Sequence, residues 1–263
     1  MRWIRRHLLA FAALAVLAYM LIPNVVVAIF SFNNPKGRYN YQWTEFSTEA
    51  WQNPCGTPGI CESLGLSLRI GIVASLIATI LGTLVAFALG RHRFRGRAGT
   101  NLLIFMPMAT PEVVMGSSLL TLFVAMGLPS GGGAILVAHI MFCLSFVVVA
   151  VKARVASLDP RLEEAAADLG ANALQTFLRV TLPLAAPGIA AGALLAFSLS
   201  FDDYIITNFN ASPSSITFPM YVWGAAARGT PVQINVIGTI MFLAALLVVI
   251  TAQSLSNRRA KAA

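Results

Sequence analysis

Long apolar stretches separated by short polar segments run the length of the chain. Six of them reach the length a bilayer demands, about 20 mostly apolar residues. They cover roughly residues 8–31, 65–90, 101–126, 132–155, 184–207 and 233–255. Pro107 and Pro111 interrupt the third and predict a kink there. The fifth follows Pro183 and Pro187, residues suited to the first turn of a helix. Two larger polar segments, about 32–64 and 208–232, are rich in Asn, Ser, Pro and Gly and read as loops. No internal repeat or low-complexity tract is visible. The expected fold class is an all-α membrane protein with six transmembrane helices.

Composition agrees. Of 263 residues, 57% are hydrophobic and 11% charged, whereas a soluble domain carries about 25% charged residues. The net charge of +8 does not point to nucleic acid, because the basic residues sit in short clusters between apolar runs, an arrangement suited to lipid headgroups. Fourteen Lys and Arg fall in one alternating set of connections: Arg2, Arg5, Arg6; Arg91, Arg93, Arg95, Arg97; Lys152, Arg154, Arg161, Arg179; Arg258, Arg259, Lys261. The other set has four, Lys36, Arg38, Arg69 and Arg228. The bias predicts that both termini are cytoplasmic. The first apolar stretch is too long for the core of a cleaved signal peptide and reads as a retained anchor. The expected organisation is a tail and first span over 1–31, an outer loop over 32–64, a five-span core over 65–255, and a cytoplasmic tail over 256–263.

Within that core, residues 156–183 are polar and helix-forming between very apolar neighbours. Glu163, Glu164 and Asp168 are costly in lipid and so belong in water. Asp159 and Pro160 can start a helix, with the two glutamates in its first turn where negative charge suits the dipole. Ala165, Ala166 and Ala167 continue it as a narrow surface. Gly170 permits a sharp turn before a second short helix over about 173–179, on which Leu174, Phe177 and Leu178 form an apolar stripe. By itself this is compatible with an amphipathic interfacial loop.

The order of residues adds to that reading. Glu164, Ala165, Ala166 and Gly170 match E-A-A-x-x-x-G, and after nine further residues Val180, Leu182 and Pro183 match I-x-L-P with Val for Ile. This resembles the coupling loop of bacterial ABC-importer permeases, the binding-protein-dependent, EAA-motif (MetI-like) family. The resemblance implies a type I importer permease fold whose loop inserts into a cleft of a cytoplasmic ATP-binding subunit, with polar contacts from Glu164 and the sharp turn at Gly170. It also implies a second permease as heterodimer partner, a dimer of ATP-binding subunits inside and a substrate-binding protein outside. The chain has no G-x-x-x-x-G-K-[ST], so ATP and Mg are expected in the partner and no cofactor or enzymatic activity in this chain.

Three further segments, NPKGRYNYQWTEFS, MPMATPEVVMGSSLLTLF and SFDDYIITNF, resemble permease subunits of spermidine/putrescine importers. Residue chemistry points the same way. Glu112, Asp202 and Asp203 lie within or at the ends of expected spans, and intramembrane acids are candidates for a transport path. Polycations require carboxylates for their ammonium groups and aromatic faces for cations and methylenes. Phe197, Phe201 and Tyr204 follow i, i+4, i+7 spacing beside the Asp pair. Alternatives stay open: Asp202 and Asp203 as membrane-surface markers or partners of Arg228 or Arg69, and Glu112 as acceptor for backbone freed by Pro111. His139 reads as a helix–helix hydrogen-bonding residue. Cys55 and Cys61 share the first outer loop, where intervening turn residues allow a structural disulfide, two free thiols being the alternative. Cys143 reads as a packing residue. No metal site is expected. The rival functions are an importer of another cation or small metabolite, a stand-alone secondary transporter using Glu112, and a membrane scaffold.

Overall fold

A computed structural model describes residues 2–262, with side chains described over 7–251 and at Ser254. Arg2, Arg5, Arg6, Arg258, Arg259 and Lys261, used above for orientation, lie outside the described side chains. The helices in chain order are α1 (Arg2–Phe30), α2 (Glu49–Gln52), α3 (Ile60–Arg91), α4 (Arg97–Ala109), α5 (Glu112–Ala125), α6 (Gly132–Ala156), α7 (Arg161–Asp168), α8 (Ala173–Thr176), a π-helical turn over Phe177–Thr181, α9 (Leu182–Asp202), α10 (Ile205–Asn210), α11 (Phe218–Arg228) and α12 (Val232–Ala262). Among the described residues the extended pairing is limited to an isolated bridge between Asn33 and Phe46.

Five helical stretches are long and apolar enough to cross a membrane, and α4 with α5 make a sixth if the bent pair counts as one span. The bend between these two is 110°, far more than a kink. Its origin is local. A proline disfavours helical geometry in the residue before it, and Thr110 is extended, with φ −81° and ψ 132°. The Thr110 hydroxyl donates to the Met106 carbonyl at 2.7 Å and closes α4. Pro107, by contrast, lies inside α4 without breaking it.

The chain divides into two compact units, residues 1–61 with 222–263, and residues 62–221. This differs from the expected 65–255 core, because the last span groups with the first.

In the first unit α1 packs against α12. Val27, near the end of α1, faces Gly238, near the start of α12, so the two run antiparallel. Most described side chains of α1 are exposed although the helix is mainly apolar from Leu8 to Phe30, as suits lipid-facing surface. The connection after α1 is organised by buried amides. Asn33 Nδ2 donates to Asn40 Oδ1 at 2.6 Å and to the Gln42 carbonyl at 2.8 Å, while its Oδ1 accepts from the Thr44 N–H at 2.8 Å. A disulfide joins Cys55 and Cys61, whose Cα atoms lie 5.4 Å apart.

The second unit is built around α6. Val147, Val148 and Val151 are buried on one face, and Ala138, His139, Phe142 and Ser145 on the others, so the helix is surrounded. Glycines set its neighbours' approach. A Cβ on Gly82 of α3 would lie 2.7 Å from Val147, and one on Gly90 3.0 Å from Val155. The common offset means that α3 and α6 run parallel. Gly188 meets Arg154, Gly192 meets Val147 and Ala150, and Ser200 meets His139, so α9 runs antiparallel to α6. Lys152 Nζ donates to Asn101 Oδ1 at 2.7 Å, which sets the start of α4 against the end of α6. Arg91, Lys152 and Arg154 therefore share one end of this unit with the α7–α8 segment. His139 and Asp203 lie toward the other.

The fifth span differs from expectation. It does not begin afresh after Pro183 and Pro187. Helix continues from Ala173 through the π turn into α9, with Pro183 in the first turn of α9 and Pro187 inside it. The expected second short helix is thus the start of this span. A proline lacks the N–H that would bond four residues back, and wider π-type turns accommodate such interruptions.

Candidate functional site

The polar segment between α6 and α9 forms a compact knuckle. Asp159 Oδ1 accepts from the Arg161 N–H at 3.0 Å where α7 begins. The helix ends at Gly170, whose φ of +83° is open to glycine at no steric cost. The Gly170 N–H donates to the Ala167 carbonyl at 2.9 Å and the Ala171 N–H to the Ala166 carbonyl at 3.0 Å, the paired bonds that close a helix through a left-handed residue. A reciprocal cap starts α8: the Gln175 N–H donates to Asn172 Oδ1 at 2.9 Å, and the Asn172 N–H to Gln175 Oε1 at 3.0 Å. Both turns are specified by local chemistry, so the knuckle's shape is rigid.

Its outer surface is apolar and acidic. Leu169 is 89% exposed and Leu174 66%, which puts apolar surface on a segment whose charged residues are costly in lipid. Glu164, Ala165 and Asp168 are exposed with them, Ala166 is half-buried, and Pro183 is exposed at the start of α9. The Glu164 side chain makes no hydrogen bond or ion pair among the described residues.

Glu163, in the same first turn, has different surroundings. Its Oε1 lies 3.1 Å from Arg91 Nη2 and accepts from the Thr181 hydroxyl at 3.2 Å. It turns inward toward a cavity of about 390 Å³ whose walls include Phe87, Arg91, His92 and Phe177. The rings of Phe87 and Phe177 meet edge-on with centroids 5.1 Å apart. Neighbouring positions on a short helix point about 100° apart, so one glutamate can face in while the next faces out.

At the other end of this unit α9 stops at Asp202, and Asp203 is extended with ψ 126°. Asp203 Oδ1 accepts from the Ile206 N–H at 3.3 Å, and Oδ2 accepts from the Thr207 N–H and hydroxyl at 2.7 and 2.8 Å. The carboxylate thereby satisfies the free donors at the start of α10. His139 Nε2 lies 2.9 Å from Thr207 Oγ1 and 3.3 Å from Asp203 Oδ2, and its Nδ1 lies 2.7 Å from Ser200 Oγ. All four side chains are buried. His139 thus ties α6 to α9 and α10, and Asp203 is committed to closing a helix. It is neither a surface marker nor open to solute.

The remaining path candidates separate. Asp202 is exposed. Phe197 and Phe201 stack with centroids 5.8 Å apart. Tyr204 leaves their helical face, because the break at Asp203 makes it the residue preceding α10. Glu112 is exposed at the first position of α5, where the helix dipole favours its charge. Its side chain makes no hydrogen bond or ion pair among the described residues, so it does not satisfy backbone freed by Pro111.

Two features escaped the sequence reading. One is the ridge of Gly188, Gly192 and Ala196 facing α6, legible as small residues at four-residue intervals. The other is Arg91, whose role depends on a residue 72 positions away, with no local signal.

Comparison with known proteins follows this geometry. Residues 65–262 match the family model described as the inner membrane component of binding-protein-dependent transport systems. The spermidine/putrescine transport system permease protein PotC of Escherichia coli (strain K12) is 35% identical over 247 residues, covering 94% of this chain and 93% of that protein. The putrescine transport system permease protein PotI of the same organism is 38% identical over 230 residues, covering 85% and 81%. Among solved structures, a chain of a bacterial alginate ABC transporter in complex with its alginate pentasaccharide-bound periplasmic protein superposes with a TM-score of 0.70 at 16% identity, covering 97% of this chain and 96% of that one. A chain of the MetNI methionine ABC transporter gives 0.60 at 13% identity. The helical body therefore shares its overall fold with these transporter chains, and this chain is a member of the family of inner membrane components of binding-protein-dependent transport systems.

Proposed function

We propose that the chain is a permease subunit of an ATP-driven importer of polyamines, forming half of the translocation path and coupling to a cytoplasmic ATPase. The observation that carries the cargo is the similarity to two polyamine permeases, each covering more than four fifths of both chains. Exposed carboxylates support it. Asp202 and Glu112 are free to meet ammonium groups, and the stacked Phe197 and Phe201 offer an aromatic surface near Asp202.

The partners follow from the same reading. A related permease completes the path, a dimer of ATP-binding subunits holds ATP and Mg, and an extracytoplasmic binding protein delivers the solute. The knuckle docks in a cleft of the ATP-binding subunit. Exposed Leu169 and Leu174 supply apolar contact there, and Glu164 supplies charge. In this reading both termini and the knuckle are cytoplasmic, which the distribution of Lys and Arg supports.

The cycle is a population shift. ATP binds the closed ATPase dimer better than the open one, and that differential affinity is what moves the membrane subunits. The docked knuckle follows the ATPase, the path opens outward, and loaded binding protein releases solute into it. Hydrolysis restores the inward-facing state. Reconstitution of the four-component complex in liposomes tests this reading. Labelled spermidine or putrescine is expected to accumulate only with ATP inside the ATPase compartment and binding protein opposite. Uptake by this chain alone would refute it.

A further inference from the structure

The two adjacent glutamates of α7 have different surroundings, and we infer that they divide the work of coupling. Glu164 meets the partner, whereas Glu163 is a positioning residue that fastens the knuckle to two membrane helices. This inference rests on the importer reading above and concerns how force leaves the knuckle.

Glu163 Oε1 is held from two sides, by Arg91 at 3.1 Å and by the Thr181 hydroxyl at 3.2 Å. Arg91 is the last residue of α3. Thr181 is buried in the π turn that leads into α9. One carboxylate oxygen thus joins α7, α3 and α9. Nε and Nη2 of Arg91 are buried and have no hydrogen-bond partner among the described residues, although 19% of the Arg91 side chain and 32% of the Glu163 side chain remain exposed. The ion pair with Glu163 supplies the nearby opposite charge for these two donors, and removing it leaves them uncompensated.

Alongside, the connection is soft. The cavity of about 390 Å³ lies between the end of α3 and the α7–α8 segment, so packing alone does not transmit motion there. The edge-on contact of Phe87 with Phe177 bridges α3 and the π turn but does not reach α7. A displacement of α7 reaches α3 through the Glu163 carboxylate. A π turn is itself a place where helical hydrogen bonding changes register, and Thr181 gives Glu163 a hold on it.

The experiment uses the complete importer with Glu163→Gln, Arg91→Gln and the double variant, and compares solute transported per ATP hydrolysed. Each single variant is expected to retain the ATPase on purification yet lose transport per ATP by about fivefold, and the double variant to lose no more than either alone, as coupled residues do. An unchanged ratio in Glu163→Gln, or losses that multiply in the double variant, would overturn the inference. If the charge variants do not accumulate in membranes, Thr181→Val keeps the shape and removes the hydroxyl. It is expected to lower the same ratio about twofold, and no change there is equally decisive against the inference. Failure of the unaltered chain to retain any ATPase would refute the importer reading instead.

Discussion

Arg154 closes over Gly188. Its Nε and Nη2 both donate to the Leu184 carbonyl, at 3.0 and 2.8 Å, and its side-chain stem occupies the space a Cβ on Gly188 would need. The charged end of α6 is thereby clamped to the first turns of α9 without a carboxylate partner. A planar fork on one carbonyl suits Arg and not Lys.

Gly188→Val is therefore expected to force α6 and α9 apart. Overpacking of this kind costs about 1–3 kcal/mol. Thermal denaturation in detergent checks it, and the melting temperature should fall. Gly132, with open space around its Cα, is the control position, where Ala should be tolerated. A melting temperature for Gly188→Val equal to that of the unaltered protein would show that the clamp does not set the helix spacing.

The neighbouring aspartates should separate in a mutant pair. Asp203→Ala leaves the Ile206 and Thr207 N–H groups and His139 short of an acceptor in a buried site. An unmet buried donor costs about 1–3 kcal/mol, so this variant should accumulate poorly or melt early. Asp202→Asn should melt normally and take up polyamine more weakly, because only an exposed carboxylate is lost. Normal uptake by Asp202→Asn would remove that residue from the path.

Glu164→Arg should abolish ATP hydrolysis stimulated by loaded binding protein while the protein still inserts in membranes. The reversed charge sits on the exposed face of the knuckle, where it disturbs no internal contact. Leu169→Ser should weaken retention of the ATPase in the same assay. Normal stimulation in both variants would move the docking surface elsewhere.

Cysteine alkylation gives a direct count. Without reductant the native protein should take up no label, because Cys55 and Cys61 are joined and Cys143 is buried. Reduction should expose two thiols, and denaturation after reduction a third. Closing so short a loop is worth about 2 kcal/mol by chain entropy, so reduction should loosen the connection before α3 and leave the spans intact. Labelling of an unreduced native sample at two sites would disprove the bridge.

Membrane spans, the knuckle and its glycine were legible in the sequence because each rests on local chemistry. Apolar length specifies a span, and Gly170 specifies a left-handed turn. The Glu163 tie, the Asp203 cap and the departure of Tyr204 from the α9 face were not legible. The Glu163 tie depends on Arg91 of α3 and the burial of Asp203 on His139 of α6, while the cap and the turn at Tyr204 are local but follow from α9 stopping at Asp202, which hydropathy does not mark. Two carboxylates side by side look alike until their neighbours are known.

By itself, the sequence determined that the chain is a multi-span helical body with one water-exposed knuckle, because solvation decides that residue by residue. Only the tertiary structure decided which acids are spent on internal bonds and which remain free. It also decided that the third span breaks through 110° and that the fifth starts at Ala173, eleven residues before the expected residue 184. Those outcomes follow from which donor, acceptor or cavity is within reach after the helices pack, and hydropathy carries no record of it.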